Sequence, residues 1–441
     1  MGCGEVCNKK TVSMYGLADC NNFFVSCERL FRPDLNGKAV VVLSNNDGCA
    51  IARSNEAKAL GIKMGQPFYQ FSRLVSSGEL TVFSSNFMLY GDMSHRVHAT
   101  LREAVPAIEI YSIDEAFLDL TGIPDDSLDG LGHKLNRLCM RNVGIPVSVG
   151  ISHTKTLAKI ASKLCKQYPK LGGACFMKRP QDIEKVLRKF PIGDVWGIGR
   201  RYAEKLHLRG VSTAYDFASL SEEWVKARMG LSGLRTWREL HGIPSIDFGE
   251  DPEPKKQICV SRSFAHEITD KEELFEQLSQ FVAMAAEKLR RQGSVASEMN
   301  IFLLTNRFKD TQREYSRNRI ERLEPPVSDT FVILKTARYA FERIYDGRIP
   351  FKKAGVVFSG ILPEKSLQPS LFDPSPSVDN GNGKLMSVID GINKREGAGS
   401  VVFASQGFGG VRMNRQHLSP QYTTKFDEIM KINCRQGAGG E

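Results

Sequence analysis

Short apolar runs alternate with amphipathic stretches over residues 14–178, which is the pattern of a mixed α/β domain. Within it, residues 38–75 carry the turn sequence NNDG between two apolar runs and predict a small, semi-independent α/β unit. The predicted strands are 15–19, 39–43, 49–53, two within 108–120, and 146–151, and the predicted helices are 23–30, 55–60, 86–104, 128–142 and 154–168.

The pattern changes three times in the rest of the chain. Residues 179–245 predict helices joined by tight turns, and residues 257–362 predict an independent α+β domain. Residues 363–383 are rich in Pro, Ser, Asn and Gly and predict a flexible linker, which a small terminal module at 384–435 follows. In the α+β domain the predicted strands lie near 258–264, 299–305, 330–334 and 354–360, and the predicted helices are 271–291 and 335–346.

The chain has 441 residues, with 60 Lys and Arg against 50 Asp and Glu, so its formal net charge is +10. This excess favours an anionic partner such as nucleic acid or an acidic membrane surface. No run approaches the ~18 apolar residues of a membrane helix, and the extension at residues 1–13 lacks the apolar core of a signal peptide. We therefore expect a cytoplasmic protein with no membrane partner. The ten cysteines include no CxxC pair, which favours buried thiols over zinc ligands.

Three acidic residues stand at predicted strand ends inside apolar runs. Asp19 ends the first strand, while Asp114 and Glu115 occupy the corner between two others. Carboxylates among core-forming residues are costly unless a cation compensates them. Two Mg²⁺ ions held by such carboxylates are the machinery of phosphoryl transfer, so we predict a two-metal site. Solvated strand-end acids are the alternative that the pattern leaves open.

The predicted helix that begins at residue 154 carries its lysines on one side. They fall within about 80° of helix circumference, opposite an apolar face. Because no acid is interleaved, this stripe favours a polyanion such as phosphate, with a solvated surface as the alternative. The lysines are Lys155, Lys159, Lys163, Lys166 and Lys170.

A glycine turn precedes another predicted helix. Gly197 and Gly199 are followed by Arg200 and Arg201. Such a turn presents backbone N–H groups and a positive helix end to a phosphate, and it resembles a helix-hairpin-helix motif, which binds DNA without reading bases. An ordinary interhelix turn is the alternative. In the α+β domain, backbone contact with nucleic acid and a solvated loop are both open for the basic cluster Arg307, Lys309, Arg313, Arg317, Arg319 and Arg322.

Several segments are similar to Y-family translesion DNA polymerases: ADCNNFFVSCERLFRPDL (18–35), VVLSNNDGCAIARSNEAKALG (41–61), YSIDEAFLDLTG (111–122) and VGISHTKTLAKIASK (149–163). LSNNDGC and LSPQYTT (418–424) resemble the UmuC type in particular. The resemblance implies an α+β multidomain, right-hand polymerase. Its parts would be a palm at 14–178 with small fingers inserted at about 38–77, a helical thumb at 179–245, a little finger at 256–362, a linker at 363–383 and a C-terminal UmuC-type module at 384–441.

The resemblance also implies roles for individual residues. Asp19, Asp114 and Glu115 would hold two Mg²⁺ ions together with the Cys20 carbonyl, and Phe24 would be a steric gate against a 2′-hydroxyl group. The nucleotide would contact Phe23, Ile51, Arg53, Lys58 and Lys159. DNA would contact Gly197, Gly199, Arg200, Arg201, Arg307, Arg313, Arg317 and Arg319, and a sliding clamp would bind Gln368, Leu371 and Phe372.

The implied function is template-directed, error-prone DNA synthesis past damaged bases in the SOS response. Its substrates would be primer–template DNA and deoxynucleoside triphosphates, and its further partners a UmuD-type accessory dimer and RecA, at the nucleoid of a bacterium. Two alternatives stay open. A metal-dependent nuclease would have no use for a sugar gate at Phe24, and a non-catalytic DNA-binding subunit would have no use for the three carboxylates.

Overall fold

The structure is a computed structural model that describes residues 13–249, 253–309, 316–366, 382–409 and 413–431. The chain forms two compact units. The first unit comprises Met1–Pro252 and Gln416–Glu441, and the second comprises Glu253–Arg415. The segment 384–441, which we expected to be one terminal module, is therefore divided between the two units.

Strands and helices occupy most of the described residues. In chain order, the strands are β1 Tyr15–Cys20, β2 Val40–Leu43, β3 Ala50–Arg53, β4 Thr81–Ser84, β5 Ala107–Ile110, β6 Glu115–Asp119, β7 Val147–Ser152, β8 Ala174–Met177, β9 Ile258–Ile268, β10 Ser294–Leu304, β11 Ser316–Val327 and β12 Phe351–Pro363. The helices are α1 Phe23–Phe31, α2 Asn55–Ala59, α3 Ser72–Ser76, α4 Phe87–Arg102, α5 Asp125–Asn142, α6 Lys155–Gln167, α7 Pro180–Leu187, α8 Arg200–His207, α9 Ala214–Ala218, α10 Glu222–Leu240, α11 Lys271–Arg291, α12 Thr330–Ile344 and α13 Asn382–Glu396.

The first unit is built on a five-stranded sheet in the order β5-β6-β1-β7-β8. Strand β1 lies at its centre and runs antiparallel to both β6 and β7. A smaller sheet, in the order β3-β2-β4, corresponds to the predicted α/β unit and has a separate apolar core. The strand and helix predictions of this region are confirmed, while β4 and β8 were not predicted.

Helix α6 packs closely against β7 because Gly150 has no side chain. A Cβ at Gly150 would collide with the backbone of Ala158 and Ser162 on α6. The apolar side of the helix, including Leu157 and Ile160, is buried as its spacing predicts. Gly150 therefore fixes the distance between the central sheet and the helix that carries the lysines.

The helices α7 to α10 form a further apolar core with α6. A buried acid, Glu239 of α10, joins this core to the start of α6. Its carboxylate accepts hydrogen bonds from the N–H groups of Thr156, at 2.9 Å, and Ser245, at 2.8 Å. Its carbonyl accepts another from the Thr154 hydroxyl at 2.8 Å. A carboxylate at a helix N-terminus also compensates the positive end of the helix dipole.

The second unit has an antiparallel sheet in the order β11-β10-β12-β9, against which α11 and α12 pack. The prediction of a strand at 330–334 is wrong, because these residues form the first turns of α12, capped by the Asp329 side chain. Helix α13 was not predicted. It is held to α11 by an ion pair in which Arg290 Nε lies 2.7 Å from Asp390 Oδ2. In the described part of the chain, no helix has the length and hydropathy needed to span a membrane.

Candidate active site

The strand register brings the three predicted carboxylates to one end of the central sheet. Asp19, near the end of β1, pairs directly with Glu115 at the start of β6. The N–H of Cys20 donates a hydrogen bond of 2.8 Å to the carbonyl of Asp114. Directly paired residues of antiparallel strands have Cα atoms about 4.5–5.5 Å apart, so residues almost a hundred positions apart in the chain become neighbours.

Each carboxylate has its own partner. Lys166 Nζ lies 2.5 Å from Asp19 Oδ1, and Lys159 Nζ lies 2.8 and 2.9 Å from the two oxygens of Glu115. The hydroxyl of Ser112 donates to Asp114 Oδ1 at 2.6 Å. Among the described residues, no three His, Cys, Asp or Glu side chains are already grouped in the arrangement of a metal site. In this structure the two lysines thus neutralise Glu115 and Asp19.

The electrostatics of Asp19 reflect this crowding. The pKa of Asp19 is raised to about 6, chiefly by burial and also by the charges of Glu115 and Asp114, while Lys166 opposes the rise. Three carboxylates that repel one another are a suitable oxygen-donor set for a hard divalent cation. The residues present therefore fit the metal that the family resemblance implies.

Aromatic residues line the helix that follows β1. Phe24 is half-buried, and its ring stacks on Tyr90 of α4 with 4.5 Å between centroids and 15° between planes. Phe87 meets the Phe24 ring edge-on at 5.9 Å, and Phe23 is buried beside it. Phe24 therefore packs against aromatic rings from both α1 and α4.

Basic side chains from the small sheet approach the same site. Lys58 Nζ lies 2.7 Å from Asn22 Oδ1, in the turn between β1 and α1. Burial lowers the pKa of Lys58, and the positive charges of Arg53 and Lys166 lower it further. Arg53 follows the half-buried Ile51 on β3 and donates to the carbonyl of Ile62 at 2.7 Å. This concentration of positive charge is suited to a triphosphate.

The predicted lysine stripe on α6 is only partly correct. Lys155 is 1% exposed, because its Nζ donates to Glu109 and to the carbonyl of Asp247, both at 2.6 Å. Two other lysines of the helix bind Asp19 and Glu115, as described above. The remaining one, Lys163, lies 2.9 Å from Asp194. The acids that the local sequence lacked are thus supplied by other elements of the first unit, and Lys155 belongs to the interior.

The glycine turn lies beside Lys159. The Lys159 ammonium is 4.6 Å from the ring centroid of Tyr111 and 5.7 Å from that of Trp196, the residue before Gly197. Gly197 has a φ of +91°, and a Cβ there would collide with Thr236. The backbone next forms the N-cap of α8 at Gly199. Arg200 and Arg201, at the start of α8, are both exposed.

The predicted DNA-binding arginines of the second unit lie apart from this site in the chain. Arg307 and Arg317 are exposed, and Arg319 is half-buried beside Glu321. Arg317 and Arg319 belong to β11, so the interpretation of this region as a loop is wrong in part. Arg313 and the proposed clamp-binding residues Gln368, Leu371 and Phe372 lie outside the described residues.

Comparison with known proteins identifies the family to which this chain belongs. Sequence models of the impB/mucB/samB family match residues 18–163 and, for its C-terminal domain, residues 255–371. The chain belongs to the impB/mucB/samB family. The IMS family HHH motif matches residues 180–211, and a domain of unknown function, DUF4113, matches residues 383–432.

Relatives of this family member include two proteins from Salmonella typhimurium and one from Bacillus subtilis. Protein ImpB is 41% identical over 94% of this chain and 99% of its own length. Protein UmuC is 38% identical over 95% of this chain and 100% of its own length. DNA polymerase IV 1 of Bacillus subtilis is 29% identical over 86% of this chain and 89% of its own length. The family member is thus a UmuC-type, Y-family DNA polymerase that acts in translesion synthesis.

A solved structure agrees with this assignment at the level of the fold. A Y-family DNA polymerase chimera of Dbh and Dpo4 superposes with a TM-score of 0.62 at 18% identity, covering 79% of this chain and 99% of its own. The multidomain α+β fold expected from the sequence is therefore confirmed. The family relationship implies that catalysis depends on a divalent metal.

Four residues at the site of this polymerase were not identified as site residues from the sequence: Lys166, Ser112, Asn22 and Tyr90. Lys166 was part of the predicted lysine stripe, on the same side of α6 as Lys159, but its ion pair with Asp19 was not predicted. Tyr90 follows Phe87 by one helical turn, which is a weak indication because such pairs are common in cores. Ser112 and Asn22 act through local turns, and their spacing carries no comparable indication.

Proposed function

We propose that this polymerase adds deoxynucleotides to a primer at the carboxylates Asp19, Asp114 and Glu115, with low fidelity. The observation that carries the proposal is the register that pairs Asp19 with Glu115 and bonds Cys20 to Asp114. These residues would hold two Mg²⁺ ions, with the Cys20 carbonyl as an additional ligand. When bound, the ions activate the attacking 3′-hydroxyl and stabilise the leaving pyrophosphate.

The protein side chains would change partners as the substrate binds. Lys159 and Lys166 neutralise Glu115 and Asp19 in the metal-free protein. Asp19 and Glu115 would hold the cations in place of these ammonium groups, which would then be available to the triphosphate. Arg53 and Lys58 would bind it from the small sheet, which supports orientation of the α-phosphorus. Ile51 would cover the nascent base pair.

The aromatic wall would select the sugar. Phe24 is fixed by stacking on Tyr90, so a 2′-hydroxyl would collide with a ring that cannot move away. Phe23 supports it from the buried side. The exclusion of ribonucleotides then follows from shape alone, without a hydrogen bond.

The duplex would be held by its phosphates. Exposed Arg200 and Arg201 follow the backbone of Gly197 and Gly199, which is free of side chains where a phosphate would approach. Arg307, Arg313, Arg317 and Arg319 would add contacts from the little finger at 256–362. On this proposal, residues 14–178 are the palm with fingers at 38–77, and residues 179–245 are the thumb.

The remaining partners belong to the same proposal. The linker at 363–383 would bind a sliding clamp through Gln368, Leu371 and Phe372. The relationship to Protein UmuC supports a UmuD-type dimer as a further partner. The proposal also includes RecA as a partner and a place at the bacterial nucleoid.

Primer extension tests the proposal directly. With a labelled primer–template, deoxynucleotides and Mg²⁺, the full chain should lengthen the primer, and Asp114→Asn should lower the rate at least ~100-fold. Asp119→Asn is the matched control, because Asp119 lies at the opposite end of β6 and bonds the N–H of Thr121. Primer shortening would instead identify a nuclease. Unchanged extension by Asp114→Asn would reject the proposed chemistry.

A further inference from the structure

The C-terminal clasp, which we define as residues 416–422, belongs to the first unit and contacts two segments at one end of the small sheet. The N–H of Gln416 donates to Asp47 Oδ2 at 2.9 Å. The N–H of His417 donates to Ser84 Oγ at 3.0 Å, and the N–H of Ser84 donates to the carbonyl of His417 at 2.9 Å. The clasp is thus bonded to the β2–β3 turn and to the end of β4.

The centre of the clasp is buried. The hydroxyl of Ser419 donates to Glu28 Oε1 at 3.0 Å. The Asn86 side-chain amide donates to the carbonyl and hydroxyl oxygens of Ser419, at 3.1 and 3.0 Å, and to the carbonyl of Pro420 at 3.2 Å. Ser419 is 6% exposed, and Glu28 is fully buried. Residues more than three hundred positions apart in the chain therefore share one buried polar network.

The network leads to the proposed sugar gate. The hydroxyl of Tyr90 donates to the same Glu28 Oε1 at 2.6 Å. The ring of Tyr90 in turn stacks on Phe24, with 4.5 Å between centroids. Glu28 lies one helical turn beyond Phe24 on α1, so the carboxylate holds both the helix of the gate and the ring beneath it.

We infer that the C-terminal clasp positions the sugar gate, so that Ser419, through Glu28 and Tyr90, determines how strictly this polymerase excludes ribonucleotides. The inference rests on the proposed function of Phe24. Ser419 touches no substrate and is a positioning residue. Without its hydroxyl, a fully buried carboxylate loses a donor, and the Tyr90 contact that fixes the Phe24 ring loses its support.

Sugar discrimination by the full chain tests the clasp. The ratio of kcat/KM for a deoxynucleotide to that for the matching ribonucleotide is measured for the wild type, Ser419→Ala, Tyr90→Phe and the double variant. We expect each single variant to lower the ratio about 5-fold or more, and the double variant to lower it little further. Thr424→Ala is the control, because Thr424 is exposed and bonds only Gln421, within the same turn. It should leave the ratio unchanged.

The outcomes separate the inference from the function on which it rests. A wild type that does not extend primers would reject the proposed function. A wild type that discriminates, together with folded Ser419→Ala protein that discriminates equally well, would reject the clasp alone. A Ser419→Ala variant that loses kcat equally for both sugars would also reject it, since the role of Ser419 would then be structural. Gln416→Pro removes the N–H that binds Asp47 and provides a second, independent disruption of the clasp.

Discussion

Lys166 Nζ lies 2.5 Å from Asp19 Oδ1, so the carboxylate that we propose for metal binding already has a cation beside it. Lys159 has the same relationship to Glu115 at 2.8 Å. On the proposed function, a divalent ion held by Asp19 and Glu115 would take the place of both ammonium groups. Metal binding and release of the lysines toward a triphosphate would then be a single exchange.

The exchange predicts a change in metal-dependent stability. Lys166→Met leaves Asp19 without its partner, so the metal-free protein should lose about 1 kcal/mol of stability, a modest loss because Lys166 is partly exposed. Mg²⁺ should then raise the Tm of the variant more than that of the wild type. Thermal unfolding with and without Mg²⁺ measures the difference. Lys163→Met, which breaks the pair with Asp194, is the control; equal Mg²⁺ effects in Lys166→Met and the wild type would contradict the prediction.

The gate predicts a change in sugar selection. Phe24→Ala should raise the incorporation of ribonucleotides about 10- to 100-fold, because the ring that would collide with the 2′-hydroxyl is gone. Phe24→Tyr keeps the ring and should keep the discrimination. Single-nucleotide incorporation with paired deoxy- and ribonucleotides provides the measurement. If Phe24→Ala selects sugars as the wild type does, another group forms the gate.

Buried Glu28 predicts a dependence of stability on pH. Burial raises the pKa of Glu28 from 4.5 to about 7, although hydrogen bonds from Tyr90 and Ser419 and the charge of Arg32 favour the ionised form. The phenol of Tyr422 also faces this carboxyl. Between pH 4.5 and about pH 7, Glu28 keeps a proton in the folded state that it releases in the unfolded state. Glu28 therefore makes the protein less stable as the pH rises through this range.

Glu28→Gln should therefore flatten the stability profile between about pH 5 and pH 7 relative to the wild type. Urea unfolding across this range measures it, and the difference between the two proteins isolates Glu28 from Asp19, whose pKa is also raised. Parallel profiles for the two proteins would show that Glu28 is ionised throughout.

Substitution by alanine should have opposite effects on stability at two glycines, because Gly150 lies in the contact between β7 and α6 and Gly91 has open space around it. Gly150→Ala should destabilise the protein by about 3 kcal/mol or more, because the new methyl group overlaps the helix backbone. Gly91→Ala, at an exposed position of α4 with open space around it, should stabilise it by up to ~1 kcal/mol. Denaturant unfolding compares them. Equal stability of the Gly150→Ala protein and the wild type would mean that α6 can move away from the sheet.

The glycine turn predicts a change in the salt dependence of DNA binding. If Arg200 and Arg201 each contact a phosphate, the double alanine variant should reduce the slope of log K against log salt by about 2. Titration of a labelled primer–template at several salt concentrations gives the slope. Arg188→Ala is the control, because its guanidinium packs on Tyr215 and pairs with Glu184. An unchanged slope would remove the turn from the DNA interface.

The local pattern of apolar and polar residues was sufficient to predict the strands and helices that bury one clear face. The alternation and helical spacing of the first unit predicted β1, α1, β7 and α6 within a residue or two at each end. The carboxylates Asp19, Asp114 and Glu115 could be grouped because an acid inside an apolar run is costly. The strand register then brought them together as expected.

Pattern failed where stability comes from distant residues. Strand β11 lies at the edge of its sheet, and Leu323 is its one fully buried residue among those described, so no apolar alternation marks it. The run TFVIL at 330–334 is rich in β-branched residues, but its apolar positions continue at helical spacing through Phe341 and Ile344. Lys155 was predicted on the same side of α6 as Lys159. Its ion pair with Glu109 of β5 instead holds it in the interior.

Glu239 limits how the first unit can move. Its buried carboxylate accepts a hydrogen bond from the N–H of Thr156, so separating α10 from the start of α6 would leave Glu239 Oε2 without this donor in the interior. We therefore expect the two helices to move together, so that the lysines of α6 keep their distance from the glycine turn. On the proposed function, a hinge that admits a new template base would lie elsewhere in the chain.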